Sequence, residues 1–365
     1  MRRKLHYIVL SLPLVLLQYC TEQPKATESY YTLDDFAKVE KFDVHEHINT
    51  YNPYFINFAN ENNFRLLSLN VGAPGYPTIP QQQQYTLAHL KSFKPDFAYA
   101  TTFDINGFED SNWQQKTLAY LKASFDSGAI AVKVWKNVGM EYKTKAGKFV
   151  MVDDPRLDTI FDFIEKNNIT LVGHLGEPKN CWLPIDKMTV KNDQSYYQRH
   201  PQYHMFLHPE FPSYEDQVNA RDHMLEKHPN LRFDGAHLGS LEWDVDELAK
   251  RLDKFPHMAV DMAARISHLE YQAQKDNKKV RDFFIKYQDK LLYATDLEID
   301  DNMDTTNAKK EALDIWKNNW KFFTSDELMN APELTEQFKG LHLPKEVIDK
   351  IYRKNAQKWF PGLLQ

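Results

Sequence analysis

The sequence predicts an α/β protein folded as a (β/α)8 barrel, and three observations carry that prediction. Eight short apolar runs recur along the chain, amphipathic stretches separate them, and histidines and an aspartate recur at the ends of four runs. Near-continuous apolar runs mark parallel strands covered on both faces. Strands alternating with helical patterns build parallel sheets. A chain of 365 residues has room for the roughly 250 residues typical of such a barrel and for insertions.

The N-terminus reads as an address. Arg2, Arg3 and Lys4 precede an apolar stretch at 7–17 that is too short to span a bilayer as a helix, the layout of an export signal. Leu17-Gln18-Tyr19-Cys20 resembles a bacterial lipoprotein lipobox except at Tyr19, where that motif prefers a small residue. Residues 1–20 are therefore expected to be a signal peptide, 21–40 a polar tether and 41–365 the globular domain. The expected location is exported, either periplasmic or anchored as a lipoprotein through Cys20, and that lipid is the only membrane contact foreseen. Cys20 and Cys181 are the only cysteines, so removal or lipidation of Cys20 excludes an internal disulfide.

The apolar runs lie at 42–47, 64–71, 97–104, 129–135, 170–176, 231–239, 258–264 and 291–296. The strongest helical patterns lie at 154–166, 214–227, 245–254 and 280–289. Ser213 followed by Asp216 has capping-box spacing and starts the second of these cleanly. The Gly/Pro-rich stretch 71–80 and the glutamine patch 81–84 predict a short or irregular first helix. Residues 143–148 read as a hairpin turn. Residues 177–212, rich in Tyr, His, Trp and Pro, are too long for an ordinary loop after the fifth strand. A lid over the active face and a subunit contact, hence a homo-oligomer, are equal readings of that insertion.

Composition bounds the partners. A hydrophobic share of 42% and a charged share of 26% are ordinary for a globular protein. A net charge of −6 with no basic stripe excludes a nucleic-acid partner. An aromatic share of 13% suits a ring-lined cleft for a small-molecule substrate.

Phe42-Asp43-Val44-His45-Glu46-His47 closes the first run, and residues i and i+2 of a strand point the same way. That pair alone is weak. His174 ends the fifth run, His237 the sixth and Asp296 the eighth. In a barrel these strand ends ring one face, where active sites lie. Each residue has a structural explanation by itself, a core histidine or a helix cap; together they point to a metal site.

Asp-x-His-x-His on the first strand, Gly-His-Leu-Gly on the fifth, Gly-Ala-His-Leu-Gly on the sixth and Ala-Thr-Asp on the eighth resemble the amidohydrolase superfamily, in its amidohydrolase-related branch. The resemblance covers roughly 42–361. It implies a distorted TIM barrel with a long insertion after strand 5, and a metal-dependent hydrolase, lactonase or non-oxidative decarboxylase. It implies His45, His47, His174 and Asp296 as ligands of one divalent metal, most often zinc, with His237 beside it polarising a group or transferring a proton.

The chemistry of these residues agrees. An N/O ligand set suits zinc or manganese, and an open position lets a bound water ionise near pH ~7. Asp296 can take that proton, and His237 can hold an oxyanion or protonate a leaving group. Asp43 supports a histidine or caps the backbone. Lys133 can bind a substrate carboxylate, bridge two metals as a carboxylated lysine, or snorkel from the rim. Arg265 and Arg199 are further candidates for holding a carboxylate-bearing substrate. No G-x-S-x-G, G-x-G-x-x-G or P-loop occurs, and Cys181 has only its place in the insertion to suggest it as a nucleophile. The leading expectation is hydrolysis of a small ester, lactone or amide. Decarboxylation is the rival within enzymes, and a non-catalytic, surface-tethered binding protein is the rival outside them.

Overall fold

The computed structural model describes residues 29–363, so the export signal and Cys20 lie outside the described residues. Nine strands form one parallel sheet: β1 Lys41–Asn49, β2 Phe64–Leu69, β3 Phe97–Thr102, β4 Ala131–Val134, β5 Thr170–Gly173, β6 Phe233–Gly235, β7 Met258–Asp261, β8 Leu291–Leu292 and β9 Leu297–Asp300. Their order is β8-β7-β6-β5-β4-β3-β2-β1-β9. β8 and β9 are two halves of one eighth strand, because Val44 N–H donates to the Tyr293 carbonyl and Asp296 N–H donates to the His45 carbonyl between them. The chain from β8 to β9 thus closes the sheet against β1 into a distorted (β/α)8 barrel, with the long insertion after the fifth strand. Asp296 has φ +70° at the interruption, which is why regular pairing stops there.

Small residues fill the barrel. Ala98, Ala100, Ala131, Ala259 and Ala294 pack with Val44, Leu67 and Val172, and Trp359 and Phe360 of the C-terminal segment join that cluster. Trp359 Nε1 donates to the Asp289 carbonyl, ahead of β8, so this segment seals the end opposite the strand C-termini. A larger cluster lies between the strands and the outer helices.

The helices Tyr214–Lys227 and Val245–Lys254 coincide with their sequence patterns, and Pro155–Lys166 begins just after its Asp154 cap. Two expectations are corrected. The helix after β1, Tyr54–Glu61, is indeed short, but the glutamine patch lies inside a regular helix, Ile79–Phe93, started by a Thr78/Gln81 capping box. The pattern at 280–289 is the second half of a longer helix, Ile266–Lys286, broken at Asp276. The insertion packs on its own small core of Cys181, Met188, Tyr197 and Met205 with Met140. Lys143 and Phe149 pair antiparallel around the expected turn. Among the described residues no helix is long and apolar enough to cross a membrane.

Candidate metal centre

β1 delivers the two histidines, and two hydrogen bonds turn both rings the same way. His45 Nδ1 lies 2.8 Å from Asp261 Oδ2, and His47 Nδ1 lies 2.7 Å from the Leu69 carbonyl oxygen. A carbonyl oxygen only accepts, so His47 Nδ1 carries the proton. Asp261 imposes the same on His45: burial pushes its carboxyl up, but His45 and His237 outweigh that and bring it down to about 2. Each ring keeps an unprotonated Nε2. Asp296 Oδ1 comes within 3.3 Å of His45 Nε2 and 3.4 Å of His47 Nε2. These three ligand atoms lie within 4.8 Å of one another, close enough to share one ion.

His174 and His237 stand next to this group. Their rings pack with centroids 4.1 Å apart, and His237 lies 4.9 Å from the His45 ring. His237 Nδ1 donates to the Ala263 carbonyl at 2.9 Å, and its backbone N–H donates to Asp261 Oδ1. His174 Nε2 is buried with no hydrogen-bond partner. A buried polar nitrogen without a partner is costly, and a cation relieves it. Two aligned imidazole nitrogens, an anionic oxygen and this orphaned nitrogen make a donor set that fits a divalent ion.

The charges agree. Burial raises the Asp296 carboxyl, but His237, His45 and His47 hold it far below the ordinary range, so it is ionised. Burial is the largest cause that lowers His45, His174 and His237, and it outweighs the upward pull of Asp261 and Asp296 on His45 and of Asp296 on His237, so the three rings favour the neutral form. Neutral imidazole is the form that binds metal.

Lys133 is buried inside the ring of strands rather than solvated at its rim. Its Nζ lies 3.0 Å from His45 Nε2, and burial lowers its pKa to about 8 against the pull of Asp261, Asp296 and Asp234. Asp43 accepts from His45 N–H and from the Thr295 backbone and hydroxyl, so it fixes the turn leading to Asp296 and touches neither imidazole.

A cavity of about 530 Å³ covers the group and is lined by His47, Lys133, His174, His237, Arg265 and Asp296 among others. Arg265 is buried; its Nη1 donates to its neighbour's carbonyl while Nε has no partner. Arg199, on the insertion helix Lys191–Arg199, is exposed at the mouth and its Nε donates to the Ser195 carbonyl. Lys136, also on the wall, is already paired with Glu177.

Sequence reasoning missed several groups. Asp261, which orients both His45 and the His237 backbone, ends β7 although its apolar run continues to 264, so the strand-end position that marks Asp296 is shared by Asp261. Asp234 on β6 is buried with neither oxygen bonded, its carboxyl pushed well up by burial and by Asp261. Tyr76 hydrogen-bonds Glu298 across the mouth and sets its ring edge-on to His47, a pairing of the loop after β2 with β9 that has no local signature. His237, Leu238, Ala264 and Asp296 all have φ between +53° and +70°, rare for residues with a Cβ. Strain concentrated in this way marks functional sites.

The comparisons bear on the fold and the family. The amidohydrolase family model matches residues 108–362, from before β4 to the C-terminal segment, and leaves the two histidines of β1 outside. The solved structure of an amidohydrolase II superposes with a TM-score of 0.51 at 14% identity, covering 88% of this chain and 99% of that one. A 2,6-dihydroxybenzoate decarboxylase complexed with 2,6-dihydroxybenzoate gives a TM-score of 0.51 at 14% identity, covering 88% and 98%. At that identity both speak for the fold. No curated protein matches the chain in sequence. The chain belongs to the amidohydrolase family.

Proposed function

We propose that this member of the amidohydrolase family is a metal-dependent hydrolase of a small, carboxylate-bearing ester, lactone or amide. The observation that carries the reading is the convergence of His45, His47 and Asp296 on one point, beside the unpartnered nitrogen of His174. Those four residues would hold one divalent ion, zinc by the borderline character of the donors, with manganese the alternative. Bound there, the ion would supply Lewis acidity toward a carbonyl and make water acidic enough to ionise near neutral pH.

The chain's own groups do the rest. Asp296 is ionised, and its Oδ2 is free to accept a proton from attacking water. His237 spends Nδ1–H on the Ala263 carbonyl, so its Nε2 accepts a proton and returns it to a leaving group. Arg265 offers an unpartnered guanidinium edge to a substrate carboxylate, and Arg199 stands at the mouth.

Decarboxylation is the second reading, favoured by the depth of Lys133. A carboxylate held at Lys133, 3.0 Å from His45, would itself be the reacting group. Labelled water separates the two: hydrolysis puts its oxygen into the product, decarboxylation releases carbon dioxide and does not.

The deciding test measures metal content and turnover on the same samples, after a screen of esters, lactones and carboxylated aromatics. Native protein should hold about one divalent ion per chain, and His45→Ala or His174→Ala should lose it. Asp296→Asn should lower turnover by a factor of roughly 10²–10⁴, the worth of a positioned base. His237→Asn should cost a comparable factor and keep the metal. Native protein without metal would sink the site; two ions per chain would make Lys133 a bridge. Full activity in Asp296→Asn would overturn hydrolysis. Export and a lipid on Cys20 remain part of the proposal, and mass spectrometry of the native N-terminus checks them.

A further inference from the structure

A second cavity, of about 660 Å³, opens beside the metal centre between the Ile266–Lys286 helix, the Thr305–Thr324 helix and residues 329–333. It meets the metal cavity at Asn192 and Ala264, which line both. Its wall is acidic: Glu270, Glu311, Asp314 and Glu333 face Lys310 as the one basic side chain. Positions 307, 311, 314 and 318 of the second helix follow one another at three- and four-residue steps. A polar stripe of that kind along one face is turned to an open space rather than to a packed neighbour.

Glu270 sets this cavity apart from an acidic surface. Its side chain is 6% exposed and has neither a hydrogen bond nor an ion pair among the described residues. Burial, and then Glu333, push its carboxyl up to about 8. Glu311, Asp314 and Glu333 also lack ion pairs. A carboxyl this buried with no protein partner is costly to ionise, and a cation in the cavity lowers that cost.

The ligand's size follows from the volume of the cavity. The one group of His, Cys, Asp and Glu side chains close enough to share a single ion, among the described residues, is His45, His47 and Asp296. No three carboxylates of the second cavity lie close enough together to share one ion, and its volume is that of a small-molecule site. We propose that this cavity binds a small linear organic diamine, one ammonium against Glu270 and Glu333 and the other toward Glu311 and Asp314. The site is separate from the metal centre and does not depend on the reaction proposed there.

The test is calorimetric titration of 1,4-diaminobutane into the metal-loaded full chain at pH 7 and about 0.1 M salt, the range in which exposed charges are already largely screened. One saturable site is expected. Glu270→Gln and Glu333→Gln should each weaken it about tenfold or more, the scale of a lost charge-assisted contact. His45→Ala, which disables the metal centre, should leave the affinity within about twofold, since the sites share no ligand. If Glu270→Gln fails to fold, Glu333→Gln at the cavity's edge decides alone. Absence of saturable binding, equal affinity in the carboxylate variants, or displacement of the diamine by an equal concentration of magnesium would each overturn the proposal.

Discussion

Asp261 decides which nitrogen of His45 faces the metal position. One carboxylate oxygen takes the imidazole Nδ1–H, and the other takes the backbone N–H of His237 and of Ala263. Asp261→Asn keeps the shape but removes the charge that fixes the tautomer. Metal affinity should fall by about 10–100-fold, the usual cost of losing a ligand's supporting partner. A chelator-competition titration reads that loss directly, and unchanged affinity would show that Asp261 serves packing alone. The ligand residues were legible in the sequence because each ends a strand run: His45, His47, His174, His237 and Asp296 need only the barrel to be brought to one rim. Asp261 ends β7, although its run continues to 264, and carried no histidine to draw attention. Tyr76 and Glu298 were illegible, because their pairing depends on how the loop after β2 meets β9 at the rim.

At the scale of the element, caps explain what the periodicity found and missed. Ser213 Oγ accepts the Asp216 backbone N–H, and Asp216 Oδ2 accepts the Ser213 N–H, so the helix Tyr214–Lys227 starts where the sequence placed it. Ser213→Ala should cost about 1 kcal/mol of stability, read as a lowered urea midpoint at unchanged slope. The same device at Thr78 overrides a glutamine-rich composition that reads as irregular. Asp276 does the reverse inside the Ile266–Lys286 helix. It leaves helical dihedrals, and its Oδ1 accepts the Lys279 N–H, acting as an internal N-cap that restarts the helix. The half after this restart was visible as a pattern from 280. The half before it, which carries Glu270, was hidden because Glu270 is a buried acid on what reads as a polar helix face.

For the whole molecule, the barrel was legible since all eight runs became strands, while the ninth was not, because it follows Asp296, beyond the end of the last run. The interruption at Asp296 brings the end of the eighth strand beside the cavity that Glu270 lines, through Ala294 and Thr295. A buried acid there links folding to pH. The Glu270 carboxyl ionises at 4.5 in the unfolded chain and at about 8 in the folded one. Between those values the native state holds a proton that the unfolded state has released, so stability must fall as pH rises. The contribution is fully present below pH 4.5 and lost by the time pH passes about 8. Glu270→Gln cannot ionise, so it should match the native chain near pH 5 and exceed it by a few kcal/mol near pH 8. Urea unfolding of both proteins from pH 5 to 8 checks the difference, which cancels the titration of every other group. Saturating 1,4-diaminobutane should shrink the gap by stabilising the ionised carboxylate of the native chain while giving the glutamine variant little. Parallel curves across that range would show that Glu270 is ionised and paired in the folded protein, and would remove the source of the linkage.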